Sequence, residues 1–498
     1  MRGSRAGSIF GASMRSNEMG AWNAWNDNSS PMHGASAREV DGEASTPPIH
    51  VLIISYHFPP LNVIASFRAQ AFAKYLPGNG IATTVLTLQW EAISQGSDGR
   101  THFAWQKQGT PCLEERSGST RMIRLPRVRT LFQRFIDALL GIPVISWLTA
   151  LLGLALGRPN LHTLYAHIAF KRFLKVHLKS THYDAVIAMM SPDEHVALGA
   201  WVKKRFGTPL IADYRDAYDN QVLAHRPSES LGSRVKILLK RWHHHRWNRT
   251  SDMLVSVSRP LLSLLQQHTG VQRVLEVRNG FDPMLVDADD ALIDREFFHI
   301  TYAGMLYPNQ DIDPFIRAVN SFLDELSEED AKCVRVRFFA PRNKVAEQKL
   351  TNGIRSTVLE IRPRVSRQEI GHHMGASSIF LMMDYGMVGM YTGKFMEYIG
   401  YRRNILMVPS DHDVVSTMIQ EAKLGLQTDD WKVASEFLLA RFQEWRTLGR
   451  PSFKGDPEKI EEASRPAQVR ILANGIRSLL ADEEFIARSG GAPRNLSS

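Results

Sequence analysis

Tyr391-Thr392-Gly393-Lys394 opens a helical pattern, and Glu397 stands three residues beyond the lysine. A helix N-terminus gathers unpaired backbone N–H groups and the positive end of the helix dipole, which suits a phosphate. Lys394 adds a point charge there. Glu397, one turn deeper on the same face, carries a carboxylate that can accept both hydroxyls of a ribose. Arg402 and Arg403 follow, then the apolar run 405–408, which reads as a buried strand. The segment describes a nucleotide-diphosphate site. An ordinary helix cap followed by a surface glutamate uses the same residues structurally.

Three more polar groups sit just after apolar runs, where ligands of open α/β sheets bind. The run 51–55 leads through Tyr56-His57-Phe58-Pro59-Pro60-Leu61-Asn62 to Ser66 and Arg68 near a helix start. The run 210–212 leads into Asp213-Tyr214-Arg215-Asp216. Arg215 has five donors and a permanent charge, so it can hold a phosphate but cannot act as a base. Asp213 and Asp216 are candidates for touching the hydroxyls of a bound substrate; an Arg–Asp pair that merely holds the loop together is the alternative. His195 begins a helix after Met189-Met190-Ser191-Pro192 and is expected to face the cleft, although a lone helical histidine also serves structure.

The elements that must position these groups alternate. Strand-like runs at 51–55, 83–88, 185–190, 210–212 and 253–257 are separated by helical patterns, and a second series follows at 298–302, 334–339, 378–383 and 405–408. Such alternation predicts two parallel sheets with helices on both faces. A length of 498 residues also exceeds what one core usually serves. The expected layout is a disordered tail at 1–47, a Rossmann-like domain at 48–281 with an apolar insertion at about 131–180, and an acidic linker at 282–295. A second Rossmann-like domain at 296–462, a helix at 463–485 packing back on the first domain, and a disordered tail at 486–498 complete it.

The Lys394–Glu397 segment resembles the donor-binding region of GT-B glycosyltransferases, especially the retaining family 4, where a glutamate in this helix holds the nucleotide ribose. Further stretches in that family's order are 50–60, the helical 67–76, 209–216, Val277-Arg278-Asn279-Gly280-Phe281-Asp282-Pro283 and 300–307. The resemblance covers residues 48 to about 485 and implies a GT-B fold, two Rossmann-like domains facing a central cleft. It makes the first domain the acceptor domain and the second the nucleotide-sugar domain, with Gly304, Thr392, Gly393, Lys394 and Glu397 at the donor.

Departures from the family matter as much. Many members place a Gly-Gly pair after the first strand; here Asn62, Val63 and Ile64 stand there, so a phosphate would be held through Asn62, Ser66 or Arg68. Arg215 falls where several members carry a histidine that contacts the donor. The family's paired glutamates put the first at Gly389 and the second at Glu397. The Gly304 loop lacks the Lys and Arg that commonly clamp the diphosphate, and Lys394 is the expected replacement.

Composition is that of a soluble globular protein, 44% hydrophobic and 22% charged. Cys112 and Cys333 offer neither a disulfide framework nor a zinc site, and no metal or other cofactor is expected. Consecutive histidines 243–245 point about 100° apart on a helix and cannot converge on one ion. The net charge of +9 suits anionic partners, here nucleotide phosphates and an anionic membrane surface, and no nucleic-acid motif accompanies it. Twenty uncharged positions, 138–157, have the length of a membrane span. Strands of one domain flank them on both sides, so a shallow interfacial element or a buried hairpin is expected instead. In the basic helix 234–249 the stripe Val235, Leu238, Leu239 and Trp242 is expected to pack on the first domain.

These readings converge on a hexosyltransferase-like enzyme, cytoplasmic and peripheral on the inner face of the plasma membrane. It would move a sugar from a nucleotide-diphosphate donor to a glycan or polyprenyl-linked acceptor in cell-surface polysaccharide biosynthesis. A sugar-nucleotide epimerase on the same fold and a non-catalytic nucleotide- or partner-binding protein remain open. An epimerase needs a tight set of acid/base groups that the sequence does not display.

Overall fold

Nearly continuous apolar strands, buried on both faces, dictate two parallel sheets. The structure, a computed structural model, describes residues 48–61, 63–95, 101–105, 111–126, 161–190, 194–215 and 231–482. The two tails, the uncharged run, Asn62 and Asp216 lie outside the described residues.

In the first domain the strands are β1 (Ile49–Ile54), β2 (Ile81–Leu88), β3 (Trp90–Gln95), β4 (Thr101–Trp105), β5 (Leu113–Ser117), β6 (Thr120–Leu125), β7 (Ala185–Met189), β8 (Leu210–Tyr214), β9 (Met253–Ser256) and β10 (Val274–Glu276). The main sheet runs β10-β9-β8-β7-β1-β2-β6-β5, parallel except for the edge pair β5 and β6; β3 and β4 form a separate hairpin. In the second domain β11 (Phe298–Ala303), β12 (Val334–Phe339), β13 (Leu359–Arg362), β14 (Ile379–Met382), β15 (Asn404–Met407) and β16 (Gly425–Gln427) run in the order β13-β12-β11-β14-β15-β16, all parallel. Renumbered within the domain this is 3-2-1-4-5-6, the order of a dinucleotide-binding sheet, with its switch point between β11 and β14. The first sheet switches between β1 and β7.

Each sheet carries a core on both faces. Val51, Ile53, Val85 and Ile187 point to one side of the first sheet, and Leu52, Ile54, Leu86 and Val186 to the other, as a period of two requires. The helix Arg465–Ala481 follows the second domain yet inserts Val469, Leu472, Ile476 and Leu479 into the first domain's core beside Phe72. Burying four such side chains stabilises that docking by at most roughly 6–12 kcal/mol.

The chain crosses between domains twice, and the crossings touch. Phe281 bridges to Ser464, and Arg465 N donates to Phe281 O at 2.7 Å. Gly280 permits this: a Cβ there would lie 2.5 Å from Arg465 N and 2.7 Å from Ala463 O, both backbone atoms. Asp282 ties the crossing to the first helix, accepting from Lys74 Nζ at 3.0 Å and from the Tyr75 hydroxyl at 2.8 Å. The linker beyond is pinned by buried Arg403, which donates to Asp289 O at 2.8 Å and pairs with Asp290 at 3.1 Å.

Candidate functional site

The helix Gly393–Gly400 is short, and its sequence explains its pose. Thr392 is its N-cap, with Oγ1 accepting from Phe395 N at 3.3 Å. Phe395, Met396, Tyr398 and Ile399 are buried. Tyr398 stacks on Phe380 of β14 with ring centroids 4.3 Å apart, and its hydroxyl accepts from Ala303 N at 2.8 Å. Ala303 ends β11, so this bond fixes the helix against the switch point and brings Lys394 to the residue that follows, Gly304. Gly304 has φ +123°, and a Cβ there would sit 3.2 Å from both Cε and Nζ of Lys394. Sequence spacing alone did not join these residues, which are ninety positions apart.

Lys394 is only half-buried as a residue, yet its Nζ has no exposed surface and no hydrogen-bond partner. Lysines ordinarily do the reverse, burying the stem and keeping the ammonium wet. The amine lies 3.8 Å from the Tyr302 ring centroid and 5.4 Å from that of Tyr385. A ring face returns about 2 kcal/mol to a desolvated ammonium, while removing an unpaired ion from water costs several. Burial wins, and the Lys394 amine is held well below the usual lysine range. The expected point charge is thus an amine that burial discourages from ionising.

Glu397 lies one turn on, but its carboxylate is engaged: Arg367 Nη1 reaches it at 2.8 Å. Arg367 opens the helix Arg367–Gly375 after β13, at the same carboxyl end of the sheet. It belongs to the site geometrically and was not foreseen, since nothing local links positions 367 and 397.

In the first domain two expected phosphate and acceptor contacts are occupied by each other. Arg68 Nη2 meets Asp213 Oδ1 at 2.6 Å and Nε meets Oδ2 at 2.9 Å, with side chains only 3% and 2% exposed. Arg68 Nη1 donates to Val277 O at 2.8 Å. The guanidinium therefore joins the first helix, β8 and the interdomain crossing, so Arg68 and Asp213 neutralise each other while both also line a small recess at the first domain's switch point. A burial this complete demands that each charge find its partner.

His195, expected to face the cleft, is buried. Nδ1 lies 3.2 Å from Met189 O, so that nitrogen carries the proton, and Nε2 is buried without a partner among Tyr56 and Phe170. Burial, with His167 and His57 adding to it, pushes its pKa down to about 3. Ser66 is buried with its Oγ unpartnered, on a helix, Ile64–Tyr75, whose N-terminus has no side-chain cap. Arg215 is half-buried and lines a recess with Ser55, His57 and Met190 at the first domain's switch point. Asn62 and Asp216 lie outside the described residues.

The domains meet beside the site. Ser258 Oγ donates to Gly389 O at 2.7 Å, and Arg278 lies over the Tyr391 ring at 5.5 Å. Gly389 has φ +69°, and a Cβ there would stand 2.6 Å from Ser258 Oγ and 3.2 Å from Leu261 N. A glutamate at this position would be strained in backbone and blocked by the neighbouring helix. The departure at Gly389 is therefore built into the domain contact.

The helix Leu231–Asn248 corrects another expectation. Leu238 and Trp242 are 64% and 54% exposed, while His243, His244 and Asn248 are buried. Polar residues face inward because Tyr214 gives them partners: its hydroxyl accepts from Asn248 Nδ2 and lies 3.4 Å from His244 Nδ1. Among the described residues no helix is long and apolar enough to cross a membrane, and no His, Cys, Asp and Glu side chains group to hold a metal ion.

No family model matches the sequence, and no curated protein matches it either. Solved structures do match in three dimensions. The chain is similar to an α,α-trehalose-phosphate synthase (UDP-forming) from Burkholderia xenovorans in complex with glucose-6-phosphate, at 12% identity and TM-score 0.53, over 86% of this chain and 99% of that one. It is similar to the α,α-trehalose 6-phosphate synthase of Burkholderia multivorans, at 11% identity and TM-score 0.52, over 88% and 99%. It is also similar to the sucrose-phosphate synthase of Thermosynechococcus elongatus, at 10% identity and TM-score 0.51, over 89% and 97%. These are GT-B glycosyltransferases, and the coverage spans both domains: this chain has the GT-B fold.

Proposed function

We propose that the chain is a glycosyltransferase that takes a sugar from a nucleotide-diphosphate donor. The observation that carries this reading is the placement of Lys394 beneath Gly304, at the N-terminus of a helix whose next turn presents Glu397, at the switch point of a 3-2-1-4-5-6 sheet. Similarity to sugar-phosphate synthases, one of them named UDP-forming, supports a uridine donor as the first to test.

Glu397, exchanging its bond to Arg367, takes the ribose hydroxyls, and Arg367 is left beside the donor. Thr392, Gly393, Gly304 and Lys394 receive the diphosphate from one side. Arg215 and Ser66 stand on the first domain's side of the donor; Asn62 and Asp216 are the sequence's further candidates for the diphosphate and the acceptor. Transfer proceeds on one face of the sugar: the anomeric carbon–phosphate oxygen bond breaks, the acceptor oxygen bonds to the same face, and its proton passes to the departing phosphate. The configuration is retained, and the protein contributes positioning and charge. The acceptor is a glycan or lipid-linked glycan of cell-surface polysaccharide synthesis, reached from the cytoplasmic membrane face. The exposed Leu238 and Trp242 beside Arg241 and Arg246 support such a peripheral contact.

One observation favours a second reading, nucleotide binding without transfer: the Gly389 position is filled by the Ser258 contact. Isothermal titration with uridine, UDP and UDP-sugars tests the shared part. Glu397→Gln is expected to weaken all three ligands, and Lys394→Met only those with phosphates; unchanged affinities in both variants return the segment to a structural helix cap.

A further inference from the structure

The Lys394 amine combines three features that a simple phosphate clamp does not need: its terminal atom has no exposed surface, no acceptor lies within hydrogen-bond reach, and it rests on an aromatic face. We infer that Lys394 holds its amine uncharged beneath Gly304 until a diphosphate arrives and then takes up a proton, so that donor binding is a proton-coupled step. The inference rests on the donor reading above and adds a coupling that reading does not require.

The surroundings leave no other source of the charge. The titratable groups that face the amine are two phenols, Tyr302 from β11 and Tyr385 from the loop after β14, and burial raises both, so they keep their protons. The Tyr302 hydroxyl is already committed to Met305 O at 3.0 Å. From its own helix, Glu397 turns to Arg367 rather than to the lysine. From the Gly304 loop the glycine itself approaches, its missing Cβ leaving the space 3.2 Å from Nζ open. Burial therefore acts on this amine without a compensating carboxylate, and it is the direction of that single influence that depresses its protonation. A diphosphate at the helix N-terminus would supply the missing anion, and an opposite charge within about 4–6 Å restores the ammonium. The balance is one proton taken from solvent as the anion binds, with no other bond changed.

The test is titration of UDP into the full chain at about pH 8, where the phosphates of UDP are already ionised, in two buffers of different ionisation enthalpy. Uptake of about one proton per UDP is expected, with none for uridine and none for UDP on Lys394→Met. Repeated at higher pH, the wild-type dissociation constant should rise about tenfold per unit while that of the variant stays flat. The uridine arm uses unaltered protein, so the conclusion does not hang on the variant folding. Binding of UDP without proton uptake, or uptake that survives in Lys394→Met, overturns the coupling and leaves the donor reading intact. A protein that binds neither UDP nor pyrophosphate fails the donor reading, and the coupling with it.

Discussion

Removing the Asp213 carboxylate separates a structural from a catalytic role for the first domain's most buried ion pair. Arg68 and Asp213 meet at 2.6 Å with side chains 3% and 2% exposed. Deleting one partner strands the other charge, which costs about 3–5 kcal/mol. Arg68→Met also releases Val277 O, bonded now at 2.8 Å, and an orphaned carbonyl adds about 1–3 kcal/mol. The double variant Arg68→Met with Asp213→Leu leaves no isolated charge, so its loss should fall to about that carbonyl term. For a domain of this size 1 kcal/mol moves the melting midpoint by about 2–4 °C. Asp213→Leu should therefore lower it by roughly 6–20 °C, and the double variant by only roughly 2–12 °C. Thermal melting of the full chain, followed by circular dichroism and by nucleotide release side by side, reads both quantities. An Asp213→Asn protein that melts like wild type but has lost turnover would refute the structural assignment and restore Asp213 as a substrate ligand.

Gly280→Ala should destabilise the crossing by about 1–3 kcal/mol, because the new Cβ meets backbone of 463–465 that cannot rotate away; limited proteolysis should then cut between the domains, and unchanged protection there would contradict the close approach. His195 is held neutral, with its pKa near 3 against an ordinary 6.5, so below pH 6.5 the unfolded chain gains a proton that the folded one refuses. Stability is unaffected above that pH and falls toward pH 3. At pH 4.5 wild type should have lost roughly 2–3 kcal/mol more than His195→Phe relative to neutral pH, and parallel urea-denaturation profiles for the two would sink the idea. Leu238→Glu with Trp242→Glu should weaken salt-sensitive flotation with anionic vesicles, and undiminished flotation would leave the membrane contact to another segment such as the uncharged run 138–157.

Much of the architecture was legible because buried parallel strands announce themselves as short apolar β-branched runs. Observed β12 coincides with the expected 334–339, and β1, β7 and β8 begin or end within a few residues of theirs. The strands that escaped notice lack that signature. β5 reads Leu-Glu-Glu-Arg-Ser and lies at a sheet edge, while β10 and β16 span three residues each. The helix Leu231–Asn248 misled because its pattern favours burying Leu238 and Trp242, whereas a single buried hydroxyl on Tyr214 turned His244 and Asn248 inward. At the site, Lys394 and Glu397 were readable as neighbours on one helix. Gly304 joined them only through the family resemblance, and the ion-pair partners were not readable: Arg367 arrives after another strand, and Arg68 finds Asp213 across 145 positions. Charges that chemistry would like to use were paired by folding, which no local spacing records.

Sugar transfer is tested most directly by incubating the protein with UDP-sugars and a polar-lipid extract and analysing both nucleotide and lipid products. The expected result is UDP release that depends on acceptor, a lipid-linked glycan heavier by one sugar, and an anomeric configuration in the product that matches the donor. Release without acceptor, interconversion of the donor to its epimer, or binding with no product of any kind would contradict it.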